Sequence, residues 1–268
     1  MLNLKATYFF ISLFALASCG QIATKKIIDN TSESTDQNNY PKVIDTVFPS
    51  TDSLLISATI YQINDTSPAI LLCHQARFNK FEYEGIAQEL NRRGFNCIAI
   101  DQRSGGRIAN VINETYFRAI EKGKGTDYLD AEKDILAAIQ FTSDYFGNKK
   151  IILWGSSYSS TLALYIAPDN DLIQSVVAFS PGNYLADKKG SLKDVLKDFR
   201  KPFFITSSKE EILYTRELLS ETNLGRKQIH FEPQGEGFHG SKALWQKQPG
   251  GLEYWNAIEA FLDIIKNN

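Results

Sequence analysis

Apolar residues in this chain cluster in short unbroken runs, set between longer stretches with helical periodicity. Ala69 to Cys73, Cys97 to Ile100, Ile151 to Trp154, Ser175 to Phe179 and Pro202 to Thr206 are such runs. A strand buried on both faces shows this pattern, because neither face needs a polar residue. Gln228 to Phe231 reads as one more strand, the last. Val43 to Val47 and Leu54 to Ile63 alternate instead, with a Pro-Ser-Thr-Asp turn between them, and predict an antiparallel hairpin. Tyr83, Ile86, Ala87 and Leu90 share one helical face, and Gly94 ends that helix. Thr126 and Asp127 are expected to open a long helix with Leu129, Leu136 and Ile139 inward. Leu252 to Ile265 closes the chain as an amphipathic helix, with Trp255, Ile258, Leu262 and Ile265 on its apolar side. Strands alternating with helices in this way predict an α/β fold: a mostly parallel sheet covered on both faces. No internal repeat and no second folded domain is read.

The N-terminal segment follows another pattern. Lys5 precedes an apolar stretch from Ala6 to Ala17 that is short for a bilayer span and right for a signal-peptide core. It ends in Leu16-Ala17-Ser18-Cys19, which resembles the bacterial lipoprotein signal. That resemblance implies cleavage before Cys19 and acylation of its thiol. An ordinary secretory signal is the alternative. From Gln21 to about Tyr40 the chain is rich in Ser, Thr, Asn, Asp and Gln, as in a flexible tether. The expected organisation is a signal peptide over 1–18, a tether over 19–41 and a folded domain over 42–268. The expected location is exported and lipid-anchored to a bacterial membrane, on the periplasmic or surface side of the outer membrane.

Composition adds two constraints. Over 268 residues the formal net charge is −2, and the basic doublets Lys25-Lys26, Lys149-Lys150 and Lys188-Lys189 are isolated, so no nucleic-acid footprint is present. Besides Cys19 there are only Cys73 and Cys97, both inside apolar runs, which reads as buried free thiols.

The candidate chemistry begins where Ile151-Ile152-Leu153-Trp154 runs into Gly155-Ser156-Ser157-Tyr158-Ser159. A buried strand turning sharply into a helix, with a serine at the apex, is a nucleophile elbow. The turn needs small residues two before and two after the serine. Gly155 and Ser159 satisfy this for Ser157, whereas Ser156 would place Trp154 at a crowded position. On its own the pattern also fits an inert strand-turn-helix. A serine needs a base, and the chain offers His74, His230 and His239. His230 lies within a strand pattern and reads as structural. His239 follows the last strand in Gly235-Glu236-Gly237-Phe238-His239-Gly240, on the edge where open α/β sheets place their sites. The order serine, acid, histidine selects His239 over His74. The acid is sought after Pro202 to Thr206, in Ser207-Ser208-Lys209-Glu210-Glu211. Glu210 is the expected carboxylate, and Glu211 is the neighbouring alternative. Oxyanion donors are expected from the backbone N–H groups of Tyr158, next to the serine, and of Ala76, after His74-Gln75.

Together these residues resemble the α/β-hydrolase superfamily, in its small dienelactone-hydrolase-like and esterase-like members. The resemblance runs from about Ile44 to the C-terminus. It includes Asp101-Gln102-Arg103-Ser104-Gly105-Gly106, similar to a structural Asp-x-Arg-Gly-x-Gly turn. It implies the α/β-hydrolase fold without a large cap domain, and a Ser-His-Glu triad acting on a small-molecule acyl substrate. It implies no metal and no organic cofactor. A serine peptidase or acyltransferase on the same triad is the near alternative. A non-catalytic, lipid-anchored binding protein that kept the fold is the distant one. Gly235 to Gly240 also spells Gly-x-Gly-x-x-Gly, but too little chain follows for a dinucleotide fold. Gly123-Lys124-Gly125-Thr126 lacks phosphate-loop spacing, and His-Glu-x-x-His is absent. The Arg107 to Gly125 segment, with Tyr116 and Phe117, reads as a small flap or as core packing.

Overall fold

The computed structural model describes residues 41–147 and 149–266. The expected signal peptide, Cys19 and the tether up to residue 40 lie outside them. Strand β1 (Lys42–Pro49) and strand β2 (Leu55–Gln62) form the expected hairpin, pairing Ile44 with Ile60 and Phe48 with Ile56. Strand β3 (Ala69–Cys73), helix α1 (Glu84–Arg92) and strand β4 (Asn96–Ile100) follow. A two-stranded ribbon, β5 (Arg107–Ile108) and β6 (Val111–Ile112), leads into helices α2 (Glu114–Glu121) and α3 (Glu132–Tyr145). Strand β7 (Ile151–Ser156) then passes into helix α4 (Tyr158–Ile166), and strand β8 (Ile173–Phe179) follows. Two short helices, α5 (Ala186–Lys189) and α6 (Leu192–Lys197), occupy the place where a cap domain would be inserted. Strand β9 (Phe203–Thr206), helix α7 (Ile212–Leu218), strand β10 (Gln228–Phe231) and helix α8 (Gly251–Lys266) complete the order.

Eight strands make one sheet in the order β1-β2-β4-β3-β7-β8-β9-β10, antiparallel at β1–β2–β4 and parallel from β4 onward. Its two faces carry separate apolar layers, because side chains alternate along each strand. On one face Leu71, Cys73 and Leu153 pack with Ile135 and Ala138 of α3, Leu162 of α4 and Leu196 of α6. On the other, Ile70, Leu72, Cys97 and Trp154 pack with Ile86 and Leu90 of α1 and Ile258, Phe261 and Leu262 of α8. Cys73 and Cys97 are therefore buried free thiols on opposite faces.

The structure changes two expectations about this layer and adds detail on a third segment. Helix α3 starts at Glu132, because the Asp130 carboxylate accepts the Asp127 N–H at 3.1 Å and closes a separate turn first. Leu136 is 37% exposed; Ile135, Ala138 and Ile139 carry the inward face instead. Within the Arg107 to Gly125 segment, α2 packs against β2 through buried Thr115 and Ala119, and Thr115 Oγ1 accepts the Ser57 N–H at 2.9 Å. Only Thr115 and Ala119 of that helix are buried; Phe117 and Ile120 are exposed, as are Val111 and Ile112 before it.

Candidate active site

Strand β7 ends against helix α4 at a left-handed residue. Ser157 has φ 58° and ψ −124°, a conformation unusual for a residue with a side chain. Its N–H is tied to the Phe179 carbonyl at 2.8 Å, so the strained turn is held by the neighbouring strand. The crowding that sequence spacing implied is real. A Cβ on Gly155 would sit 2.4 Å from the Ser160 Cα. Ser159 stands at the other small position, and its hydroxyl is used. It accepts the Ser156 N–H at 2.8 Å and donates toward the Cys73 carbonyl at 2.7 Å, lacing the elbow to β3.

The loop after β10 brings His239 to the serine. The Glu253 carboxylate on α8 accepts the Gln234 and Gly235 N–H groups at 2.8 and 3.0 Å, and the Lys209 N–H bonds the Glu236 carbonyl at 2.9 Å. So anchored, the loop places His239 Nε2 2.8 Å from Ser157 Oγ. Ser157 is almost fully buried, and the imidazole is partly open to solvent.

The carboxylate on the other side of the ring is Glu211, whose Oε1 lies 2.5 Å from His239 Nδ1. Glu210, the expected acid, is exposed. The correction has a local cause. Ser208, not Ser207, caps the turn after β9, and Glu211 occupies the third position of that turn, where its side chain folds back over the cap. Its Oε2 accepts from the Ser208 N–H at 3.2 Å, the Ser208 hydroxyl at 3.0 Å and the Ser180 hydroxyl at 2.7 Å. Burial pushes the Glu211 carboxyl up, but the bonds from His239 and Ser180 outweigh it and hold it at about 2.

Ala76 follows β3, and Tyr158 follows the serine at the end of the adjacent β7, paired in register Cys73 with Gly155. Among the described residues neither the Ala76 nor the Tyr158 N–H has an acceptor. Both are therefore available as oxyanion donors at the same sheet edge. Arg77 takes φ 64° to turn this loop away from the strand. His74, fully buried, holds the loop. Its Nδ1–H donates to the Gln75 carbonyl at 2.8 Å and its Nε2 accepts the Gln102 N–H at 3.0 Å. Burial pushes its pKa down to about 4, against the pull of those backbone bonds, so it stays neutral. His230 bonds Thr215 Oγ1 at 3.1 Å, away from the serine, as a structural residue. The Asp101 turn is structural too. Its carboxylate accepts the Lys80 and Glu114 N–H groups at 2.8 and 3.0 Å, and Arg103 is buried between Asp52 and Asp134.

Ser180 and Tyr184 contribute beyond what sequence spacing indicated. Besides donating to Glu211, Ser180 Oγ accepts the Gly240 N–H at 3.0 Å, so one hydroxyl joins the acid to the histidine loop. Ser180 has φ 51°, and the Ser-Pro-Gly after a strand was its only trace. Tyr184 stands beside Ser157, with its hydroxyl 3.3 Å from the Ser180 carbonyl. Among the described residues no group of His, Cys, Asp or Glu is arranged to hold a metal ion.

Residues 68–258 match the alpha/beta hydrolase fold family. The chain belongs to that family. Solved structures share the fold at low identity. An esterase from Pyrococcus furiosus aligns with TM-score 0.61 and 17% identity, over 83% of this chain and 92% of its own. A dienelactone hydrolase from Anabaena variabilis aligns with TM-score 0.60 and 12% identity, over 82% and 96%. An acylaminoacyl peptidase from Pyrococcus horikoshii aligns with TM-score 0.61 and 14% identity, over 84% of this chain and 41% of that one. No curated protein matches the sequence. In this hydrolase fold the sheet edge carrying Ser157 and His239 lies at the carboxyl ends of the parallel strands, where α/β folds place their sites.

Proposed function

We propose that this protein is a serine hydrolase that cleaves carboxylic esters or related acyl bonds. The observation that carries the reading is one unbroken hydrogen-bonded line, Ser157 Oγ to His239 Nε2 and His239 Nδ1 to Glu211, beside two backbone N–H groups that have no acceptor among the described residues. Ser157 Oγ attacks the acyl carbonyl as His239 Nε2 takes its proton. Glu211 holds the tautomer with the proton on Nδ1 and stabilises the imidazolium that forms. The Ala76 and Tyr158 N–H groups receive the charge that develops on the carbonyl oxygen. His239 returns its proton to the leaving alcohol, and the acyl group remains on Ser157. Water, deprotonated by His239, then releases the acid. The two short helices between β8 and β9 leave the site without a large cover, and Tyr184 and Tyr128 flank it, both more than a third exposed. An open, aromatic-sided site suits small esters. The sequence reading of a lipid anchor on Cys19 is part of this proposal, and places the domain at a membrane surface.

The test is covalent labelling by a fluorophosphonate, followed by turnover of p-nitrophenyl esters of increasing acyl length. Wild-type protein should be labelled on Ser157 and should turn over the short esters. Ser157→Ala should abolish labelling and lower kcat by roughly 10⁴ to 10⁶. An unlabelled wild type, or labelling that survives in Ser157→Ala, overturns the reading.

A further inference from the structure

Glu82 lies directly behind the site, fully buried, and the mechanism above does not use it. It sits on the single turn Lys80–Tyr83 before α1. Its carboxylate accepts the Gln75 N–H at 2.8 Å, the Gln75 side-chain amide at 3.1 Å and the Ser156 hydroxyl at 2.7 Å. Ser156 Oγ in turn accepts the Ser241 N–H at 2.8 Å. Gly240 is packed against the same cluster: a Cβ there would lie 2.5 Å from Ser156 Oγ and 3.1 Å from the Gln75 side-chain nitrogen. Gln75 is the residue before the Ala76 N–H, and Gly240 and Ser241 are the two after His239. Every contact to the carboxylate is a donor, and no cation pairs with it among the described residues.

We propose that Glu82 is a positioning residue of the hydrolytic site: its anion, accepting from Gln75 and Ser156 at once, ties the loop bearing the Ala76 N–H to the loop bearing His239. The proposal rests on the serine-hydrolase reading. A neutral carboxyl carries an O–H of its own, so the Ser156 bond must reverse or a Gln75 bond must break, and the charge that strengthens the other bonds is gone. A buried charge without a counter-ion is a poor way to gain stability, so its presence here points to function.

The titratable groups around Glu82 are Tyr83 on its own turn, Cys73 and His74 on the oxyanion strand and loop, and His239 opposite. Burial keeps Tyr83 and Cys73 protonated and His74 unprotonated at neutral pH. His239 is the group whose charge acts on Glu82. Burial pushes the Glu82 carboxyl up to about 7, against the pull of Gln75 and Ser156. The charged tie is therefore present above that range and weakens as pH falls through it.

The experiment measures kcat/KM for one p-nitrophenyl ester against pH, beside the rate of fluorophosphonate labelling, in wild type, E82Q and S156A. Wild-type labelling and turnover are required first; their absence sinks the hydrolase reading itself and not this one alone. Glutamine keeps the shape but presents an N–H₂ to groups that donate. E82Q should therefore lose on the order of 10²-fold in kcat, with KM little changed and the thermal midpoint within a few degrees of wild type. The acid limb of the wild-type profile should fall with two ionisations, and that of E82Q with one. S156A removes one donor to the anion and the acceptor of the Ser241 N–H, so it should lower kcat as E82Q does and move the acid limb about one unit to higher pH. An active wild type whose limb shows one ionisation and is unmoved in S156A overturns the proposal, as does an E82Q profile identical to wild type.

Discussion

Glu211 keeps its charge because four donors converge on it, and this decides how the site behaves in acid. Its carboxyl is held at about 2, below the ordinary 4.5. It remains ionised throughout the range in which the enzyme is expected to work, so the acid limb belongs to other groups. Its share of folding stability is present above the unfolded value and is lost only as pH falls from about 4.5 toward 2. Removing the charge is a different matter. Glu211→Gln should cost roughly 10³ to 10⁴ in kcat, because the imidazole loses the partner that fixes its tautomer. Glu210→Gln should stay within about twofold, since that side chain is exposed and holds nothing in the site. Steady-state kinetics of the two variants checks both, and a silent Glu211→Gln would remove the acid from the proposed triad. At this scale the sequence left one register open. Ser207 with Glu210 and Ser208 with Glu211 both spell the Ser-x-x-Glu of a helix cap. Which pair closes depends on where β9 ends, and Thr206 pairing with Phe231 settles that.

Elements set by burial were legible, and elements set by local capping were not. The β3 run, Ala69 to Cys73, coincides with a strand in the fold, because continuous apolar residues need a two-sided burial that only the sheet offers, and the half-buried edge strand β10 falls on Gln228 to Phe231 as expected. The elbow was legible for steric reasons. Small residues at Gly155 and Ser159 were read from spacing, and the fold shows a Cβ at 155 striking the Ser160 backbone. Helix α2 went unread in a polar, glycine-rich stretch. Its signal is a single Asn113 side chain accepting the Tyr116 N–H at 2.7 Å, and only two of its residues face inward. The start of α3 slipped for a similar reason: Asp127 and Asp130 form a turn that looks like a helix opening. Glu82 was unread because a lone glutamate between aromatic residues carries no spacing signature; its role comes from three chain segments meeting in space.

Across the whole molecule, the hydrolase domain and the proposed lipid tie address different questions. No described helix is long and apolar enough to cross a membrane. The proposed membrane attachment would rest on Cys19 and its acyl chains, each buried methylene contributing about 0.8 kcal/mol. Wild-type protein should sediment with membranes and carry acyl chains by mass spectrometry, whereas Cys19→Ala should appear soluble or unprocessed. A wild type that fractionates without lipid removes the anchor and leaves the domain's chemistry untouched. The domain's own sulfur atoms offer a separate use. Cys73 and Cys97 lie on neighbouring strands yet on opposite faces of the sheet, each sealed in its own apolar layer. They cannot bridge without tearing the sheet, so the folded domain should be indifferent to oxidants and reductants alike. Both thiols become reachable only when the central strands separate. A thiol-reactive dye would then act as a built-in clock, its rate of uptake reading the frequency of global opening in unmodified protein.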